Sequence, residues 1–375
     1  MPKRSWKQKR QDIEISQAVI ADKSTEELKK LHDFVTRLKK YKATTKLENT
    51  YIGGIKKAIA YNEEDKVYCS YNFDGTVTGR MSCSKYSAGA GKPMGISYHT
   101  LPRQTEYNIR STTVAPPGHV FITADEAAME LRILSHIAKE KRMQTAFQDK
   151  DDLHWYTAEL IHGIVREFLT KEDRQQAKET SFLVVFGGSA AALAPKIGKS
   201  VQEAGLILAA WNQAYPAISG YKEYVYDFIK ENRYAYSLFG RKRHLLNVKS
   251  PSPRIRDHAL RQGMNFTIQS VASDILLCAL LGIDNSFKAR NMKSRIVQTV
   301  HDSGEFIVPY AELGKAIEII RYNMVAVPIM EFYFGLKLDV PLEVEFVCGK
   351  SFGDGLSFEK GETPNVEQIL EYMHE

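Results

Sequence analysis

Two apolar strands that each run into an aspartate constrain the fold of this chain more than any other feature. VFITAD, from Val120 to Asp125, reads as a buried strand and leads directly into the helical pattern AAMELRILSHIAKE. Further on, SRIVQTV, HDSG and EFIVP read as a β-hairpin with polar residues at the bend, and Asp302 sits in that bend. Between them the pattern is helical from about His154 to Lys230. A Gly-centred turn in LFGRKRHLL follows, and then a second long helix over residues 256–287. Before Val120, residues 24–60 read as helix with Ser24 or Thr25 as N-cap, and residues 65–113 as irregular structure with short strands. The chain closes with a helix near 311–325, the strand LEVEFV and a short helical tail. Carboxylate-bearing strands alternating with long helices predict an α+β architecture.

Composition narrows the function classes. With 375 residues, 43% of them hydrophobic, the chain can bury a large core and divide into two or three subdomains. No unbroken run of about eighteen apolar residues occurs, so no membrane span is expected. The basic start MPKRSWKQKRQ is followed by no apolar segment, which argues against a secretory signal. Cys69, Cys83, Cys278 and Cys348 form no CxxC pair, so reduced thiols and a cytoplasmic setting are expected rather than a zinc site. Residues 1–50 hold 13 Lys and Arg against 7 Asp and Glu, which accounts for the whole net charge of +6. Such a segment suits a polyanion, although KSTEELKKLHDFVTRLKKYK is equally well a solvated amphipathic helix.

Carboxylates at strand ends are well placed to hold hard cations, and two magnesium ions shared by two aspartates can serve phosphoryl transfer. Aspartate is also simply common in turns, and spacing alone does not bring Asp125 and Asp302 together. In DRQQAKETSFLVVFGGSA, Arg174, Lys178, Phe182 and Phe186 recur every four residues and line one gradually turning helical face. Two cations followed by two rings can grip a triphosphate and stack on a base. Exposed cations above core aromatics would give the same pattern.

The short strings join into a known order. ADEAAMELR (124–132), RQQAKETSFLVVFG (174–187) and VHDS (300–303) resemble motifs A, B and C of the DNA polymerase I family. TGRMSCS (78–84), KDDLHWYTA (150–158), FGRKRHL (239–245) and RQGMNFTIQSVASD (261–274) resemble further elements of that family, in the same order. The resemblance covers residues from about 70 to 353 and implies a right-hand polymerase fold with an antiparallel-sheet palm, helical fingers and a truncated thumb. Residues 1–70 would be a basic helical segment and partial thumb, 71–135 palm with motif A, 136–255 fingers with motif B, and 256–375 palm with motif C.

Residue by residue, the resemblance implies a nucleotidyltransferase site. Asp125, Asp302 and the backbone carbonyl of Glu126 would bind two Mg²⁺ ions. Arg174, Lys178 and His154 would hold a deoxynucleoside triphosphate, with Lys178 as proton donor to the departing pyrophosphate. Phe182 and Phe186 would contact the nucleotide, and Glu130 would block a ribose 2′-hydroxyl. Arg80, Arg261, Asn265 and Gln269 would touch primer–template DNA, the last three lying four apart on one helical face. Donors there suit the minor groove, whose acceptors look alike whichever way a pair lies.

Ser303 stands where the family usually has Glu, and Phe186 where it usually has Tyr. Phage-type single-subunit RNA polymerases also carry His-Asp-Ser, which makes them the competing resemblance; Glu130 and Phe186 favour deoxynucleotides. A degenerate, non-catalytic DNA-binding relative is a third reading, opposed by Asp125, Asp302, Arg174 and Lys178. Fewer than about eighty residues precede Arg80, so a minimal or split enzyme of phage type is expected. It would lack its own proofreading exonuclease and be completed by a separate exonuclease or thumb-supplying chain.

Overall fold

The structure, a computed structural model, describes residues 26–62, 65–73, 75–88, 92–93, 95–102 and 108–375. The basic start and the N-cap expected at Ser24 or Thr25 lie outside the described residues. The chain divides into two compact units, one of Met1–Ser70 with Cys83–Leu101, the other of Tyr71–Ser82 with Pro102–Glu375.

In the first unit the expected helix is present but interrupted. α1 (Glu26–Lys46) passes through a π-helical turn at Leu47–Ile52 into α2 (Gly53–Asn62). Leu47 and Tyr51 are the buried residues of that turn, and the Tyr51 hydroxyl donates to the Thr100 carbonyl at 2.5 Å. The chain continues through the short strands β1 (Cys69–Asn72), β2 (Ser82–Lys85), β3 (Ser87–Ala88) and β4 (Lys92–Pro93). Gly95 bridges Tyr68 so closely that a Cβ there would lie 1.6 Å from the Tyr68 carbonyl oxygen. Only glycine allows that approach.

The second unit is built on one antiparallel sheet. β5 (His119–Glu126) is its middle strand, flanked by β9 (Ser303–Pro309) and then β8 (Arg295–Val300) on one side. On the other side lie β10 (Val344–Ser351) and β11 (Asp354–Phe358). The register sets Ile122 opposite both Phe306 and Cys348, so one face presents a continuous apolar row. α11 (Leu313–Ala326), α13 (Val366–His374) and the C-terminal half of α10 (Pro253–Ala289) cover that face, with Phe306, Phe346, Leu276 and Ile320 fully or almost fully buried. Removing a ring such as Phe306 would cost about 3–5 kcal/mol.

The helical stretch expected as one run from His154 to Lys230 is five helices. They are α5 (Leu153–His162), α6 (Lys171–Val185), α7 (Ala190–Ile197), α8 (Val201–Ala214) and α9 (Pro216–Asn232), preceded by α3 (Met129–Ile137) and α4 (Lys141–Gln148). Three breaks fall at Gly163, Gly187 and Gly198, all left-handed, and the fourth at Pro216, which opens α9. These residues are where a helix ends most easily. A hairpin of β6 (Tyr234–Tyr236) and β7 (Lys242–His244) turns at Gly240, and α12 (Pro328–Phe334) follows α11. α10 contains a stretch apolar enough in mean hydropathy to cross a bilayer, although polar residues interrupt it. Some 78% of it is buried, so it is the central core helix of this unit.

Candidate active site

The two aspartates meet because two strands end side by side. Asp125 pairs in register with Ser303, and the Glu126 amide donates to the Asp302 carbonyl at 3.2 Å. The hairpin turns through His301 in a left-handed conformation (φ 61°), which leaves Asp302 at the corner. On the other strand the chain leaves β5 through Ala128, also left-handed at φ 53°. That conformation costs a non-glycine residue on the order of 1–2 kcal/mol. It also throws the first turn of α3 back over the corner. Arg132 pins this bend: buried at 1% exposure, it donates to the carbonyls of Ala127 and Pro341 and to Glu343.

The bend delivers Glu130. Arg80 Nη2 lies 2.5 Å from Glu130 Oε1 and 3.3 Å from both Asp302 carboxylate oxygens, so one guanidinium ties the two acids together. Burial pushes the Glu130 carboxyl up to about 7, assisted by the charge of Asp302 and opposed by Arg80 and a hydrogen bond with Gln269. Glu126 is also buried, with neither carboxylate oxygen hydrogen-bonded. Burial, then the charges of Asp125 and Asp302, hold its carboxyl well above the usual range against the opposing pull of Arg132.

The loop carrying Arg80 is seated by residues without an assigned role in the motif reading. Arg241, in the turn between β6 and β7, donates to the carbonyls of Gly79 (2.7 Å) and Ser270 (3.2 Å) and pairs with Asp274 at 3.0 Å. Gly79 is left-handed at φ 78°, and a Cβ there would lie 2.6 Å from the Ser270 side chain. FGRKRHL carried the signal for this contact, because its arginine follows a turn glycine. Its targets, 29 positions downstream in α10 and 162 positions upstream in the Gly79 loop, are a tertiary fact.

The second group lies on α6. A capping box of Thr170 and Asp173 starts the helix, and Arg174, Lys178 and Phe182 are half-buried on one face. Arg174 is held by Asp152 Oδ2 at 2.7 and 3.1 Å, while Asp152 Oδ1 accepts from the His154 and Trp155 amides at the start of α5. Burial raises the Asp152 carboxyl, but the hydrogen bonds from Arg174 and those amides outweigh it and leave it below its ordinary value. The His154 ring sits 6.3 Å from that of Phe182. Burial drives His154 down to about 4, helped by Arg174, Lys178 and Lys360 and opposed by Asp152, so the ring is neutral at pH 7. Its Nδ1 has no hydrogen-bond partner.

Burial, then the charge of Glu359, hold the Glu345 carboxyl above its ordinary value against the opposing pull of Lys360 and Lys178, and Glu345 is the register partner of Asp125 on β10. The helix face and the aspartate corner therefore share an electrostatic environment. Nothing in the sequence marked Lys360. Phe186 differs from the other three: it forms the C-cap of α6 and packs against the helical core. Arg261 lies against the Gly187 turn, close enough that a Cβ on Gly187 would meet it at 3.0 Å. Asn265 follows one turn later with Oδ1 buried and unpaired, and Gln269, 8% exposed, one turn beyond, at Glu130.

The profile of DNA polymerase family A matches residues 3–354. The DNA polymerase I of Caldicellulosiruptor bescii is 32% identical over 322 residues, covering 85% of this chain and 36% of that protein. The DNA polymerase I of Bacillus subtilis is 30% identical over 332 residues, covering 88% of this chain and again 36% of the relative. The chain thus spans about a third of the length of these curated relatives. Among solved structures, the POL domain of Pol1 from M. smegmatis, in complex with DNA primer–template and dNTP, superimposes with a TM-score of 0.76 at 27% identity. That match covers 87% of this chain and 54% of the other.

Proposed function

The chain belongs to DNA polymerase family A, and on that premise we propose that it is a template-directed DNA polymerase adding deoxynucleotides to a primer 3′-end. The observation that carries the proposal is the meeting of Asp125 and Asp302 at adjoining strand ends, with Arg80 joining Asp302 to Glu130. In hand terms, residues 71–135 and 256–375 would be palm, 136–255 fingers and 1–70 a partial thumb. Such a chain would work in a bacterial or phage-infected cytoplasm.

The corner suits divalent cations. Among the described residues no group of three or more His, Cys, Asp or Glu side chains is arranged to hold an ion unaided. Mg²⁺ needs no such cage, because it is held by one or two carboxylates plus substrate phosphates. The guanidinium of Arg80 already rests on Asp302, so a cation is accommodated there. Asp125, Asp302 and the Glu126 carbonyl would hold two Mg²⁺ ions, whose chemistry is to stabilise the attacking and leaving oxygens.

The remaining roles belong to side chains. Arg174 and Lys178 would grip the triphosphate, and His154, neutral, would serve as an N–H donor. Lys178 would protonate the departing pyrophosphate. Phe182 would stack on the incoming nucleotide, with Phe186 closing the same face, and Glu130 would exclude a 2′-hydroxyl. Arg80, Arg261, Asn265 and Gln269 would contact the primer–template, and a second chain would supply thumb or exonuclease functions.

Primer extension on a DNA template with Mg²⁺, comparing deoxy- and ribonucleotides, tests the proposal. Extension is expected with deoxynucleotides, and Glu130→Ala is expected to raise ribonucleotide use relative to deoxynucleotide. Preferential ribonucleotide use by the natural chain would shift the reading to an RNA polymerase. No extension with either would shift it to a non-catalytic relative.

A further inference from the structure

The turn after β11 holds a cation that the motifs do not mark, and the sheet carries it to the aspartate end of the site. Ala124 on β5 faces Phe346 on β10, and Phe346 faces Phe358, the last residue of β11. The next row pairs Asp125 with Glu345. β11 therefore leaves the sheet at the level of the aspartate corner, and Lys360 is the second residue beyond it. The match to the family profile ends at residue 354, so Lys360 lies outside the stretch it covers.

The turn itself is firmly held. The Glu362 amide donates to the Glu359 carbonyl at 3.0 Å, and the Glu359 amide donates back to Glu362 Oε2 at 2.9 Å. From α11, Arg321 donates to the carbonyls of Gly361 (2.8 Å) and Glu362 (2.7 Å) and to the Thr363 hydroxyl (2.7 Å). These bonds fix the backbone around Lys360. Its half-buried side chain makes no hydrogen bond or ion pair among the described residues, and the same is true of Lys178 on α6. Burial, then the charges of Arg174, Lys178 and Lys360, lower His154 against the pull of Asp152, and both lysines oppose the rise of Glu345. The two cations thus act on the same two groups, one from the helix and one from the turn. Arg174 has Asp152 as a contacting partner, but these two have no acid in contact. Cations gathered in this way focus a positive potential, and a polyanion relieves it. Lysine suits a phosphate as a point charge on a long stem.

We propose that Lys360 is a nucleotide-binding residue, a third cation on the triphosphate beside Arg174 and Lys178, and that Arg321 positions it by holding the turn. This rests on the polymerase reading above.

The test is the dissociation constant of a templated deoxynucleoside triphosphate from the full chain, with Mg²⁺, on a primer–template whose primer ends in a dideoxynucleotide. Without a 3′-hydroxyl, binding is read apart from reaction. If the natural chain binds the templated nucleotide no better than a mismatched one, the polymerase reading fails and takes the proposal with it. If it discriminates, Lys360→Gln decides. That change is expected to weaken the nucleotide about tenfold, a 1.4 kcal/mol effect, in a protein that melts normally. An unchanged constant would overturn the proposal alone. So would a loss confined to primer–template affinity, which would put Lys360 on the DNA instead. Lys360→Arg keeps the charge and is expected to bind the nucleotide more tightly than Lys360→Gln; equal weakness in both would also overturn the assignment. Arg321→Ala is expected to reproduce part of the loss in the natural chain and to add nothing to Lys360→Gln, because residues that act through one another are not additive. A fully additive loss would overturn the positioning role of Arg321.

Discussion

The aspartate corner and the α6 face are assembled by different means. At the corner, backbone does the placing: the β5–β9 register, the Glu126-to-Asp302 amide bond, and left-handed residues at Ala128 and His301 fix where the acids stand. On α6, side chains do it. Arg174, Lys178 and Phe182 are half-buried, and Arg174 is positioned by an ion pair with Asp152 that is itself about one-third exposed. A backbone-built site cannot rearrange without breaking the sheet, whereas an ion pair exchanges partners readily. Under the proposed function this division makes sense. The acids must stay in place between turnovers, while the cations must release one phosphate and take the next.

The comparison predicts unequal sensitivity. Asp302→Ala removes a ligand that no neighbour can replace, and extension should fall by several orders of magnitude, on the order of 10³ or more, while primer–template binding persists. Robust extension by this variant would remove the corner from the chemistry. Arg174→Ala should be milder. A lost hydrogen bond to a charged group costs about 1.5–3 kcal/mol, roughly tenfold to a hundredfold, expressed mainly in KM for the nucleotide. A loss confined to kcat would mean that Arg174 acts on the reacting atoms rather than on binding. An Arg174→Ala effect as large as that of Asp302→Ala would erase the distinction between the two regions.

What could be read from the sequence follows the same line. The strand ending at Asp125, the hairpin carrying Asp302 and the four-residue rhythm of α6 are local patterns, and each is present. The breaks at Gly163, Gly187 and Gly198 were visible as residues but not as helix ends, because a glycine inside a helical pattern can be tolerated. β11 has little local signature, because DGLSF is short and only weakly alternating. The seat that Arg241 makes for the Arg80 loop, the burial of Glu305 and the approach of Lys360 to His154 join residues far apart in the chain. No local period encodes them.

A third prediction uses pH to separate the two regions. His154 is held neutral near α6, with its folded pKa near 4 against an ordinary 6.5. The stability this contributes is complete above pH 6.5 and is lost as pH falls toward 4, roughly 2 kcal/mol of it between pH 7 and pH 5. Glu130 behaves oppositely, since its carboxyl is raised to about 7. Its buried charge becomes a burden as pH rises from its ordinary value through 7. His154→Gln should therefore flatten the acid limb of stability. Equal melting-temperature losses between pH 7 and pH 5 in both proteins would place the acid sensitivity elsewhere.

The smallest effect is expected at Phe182, where the α6 face meets the His154 ring. In a closed site the incoming nucleotide's 3′-hydroxyl can donate to its own phosphate oxygen. A dideoxynucleotide lacks that proton and leaves an acceptor unpaired in a partly dry pocket, a penalty on the order of 1–3 kcal/mol. Phenylalanine cannot supply the missing donor, but tyrosine at the same position can extend a hydroxyl toward it. Phe182→Tyr is thus expected to relax discrimination against dideoxynucleotides by about tenfold, the lower end of that range, with little change in ordinary synthesis. Phe182 is half-buried rather than sealed in the core, so the added hydroxyl has room to reach solvent or substrate without a large loss of stability. Dideoxy-to-deoxy incorporation ratios for both proteins, measured beside their melting temperatures, decide the matter. An unchanged ratio with a lowered melting temperature would mean that the ring faces the core, and the α6 face would then end at Lys178.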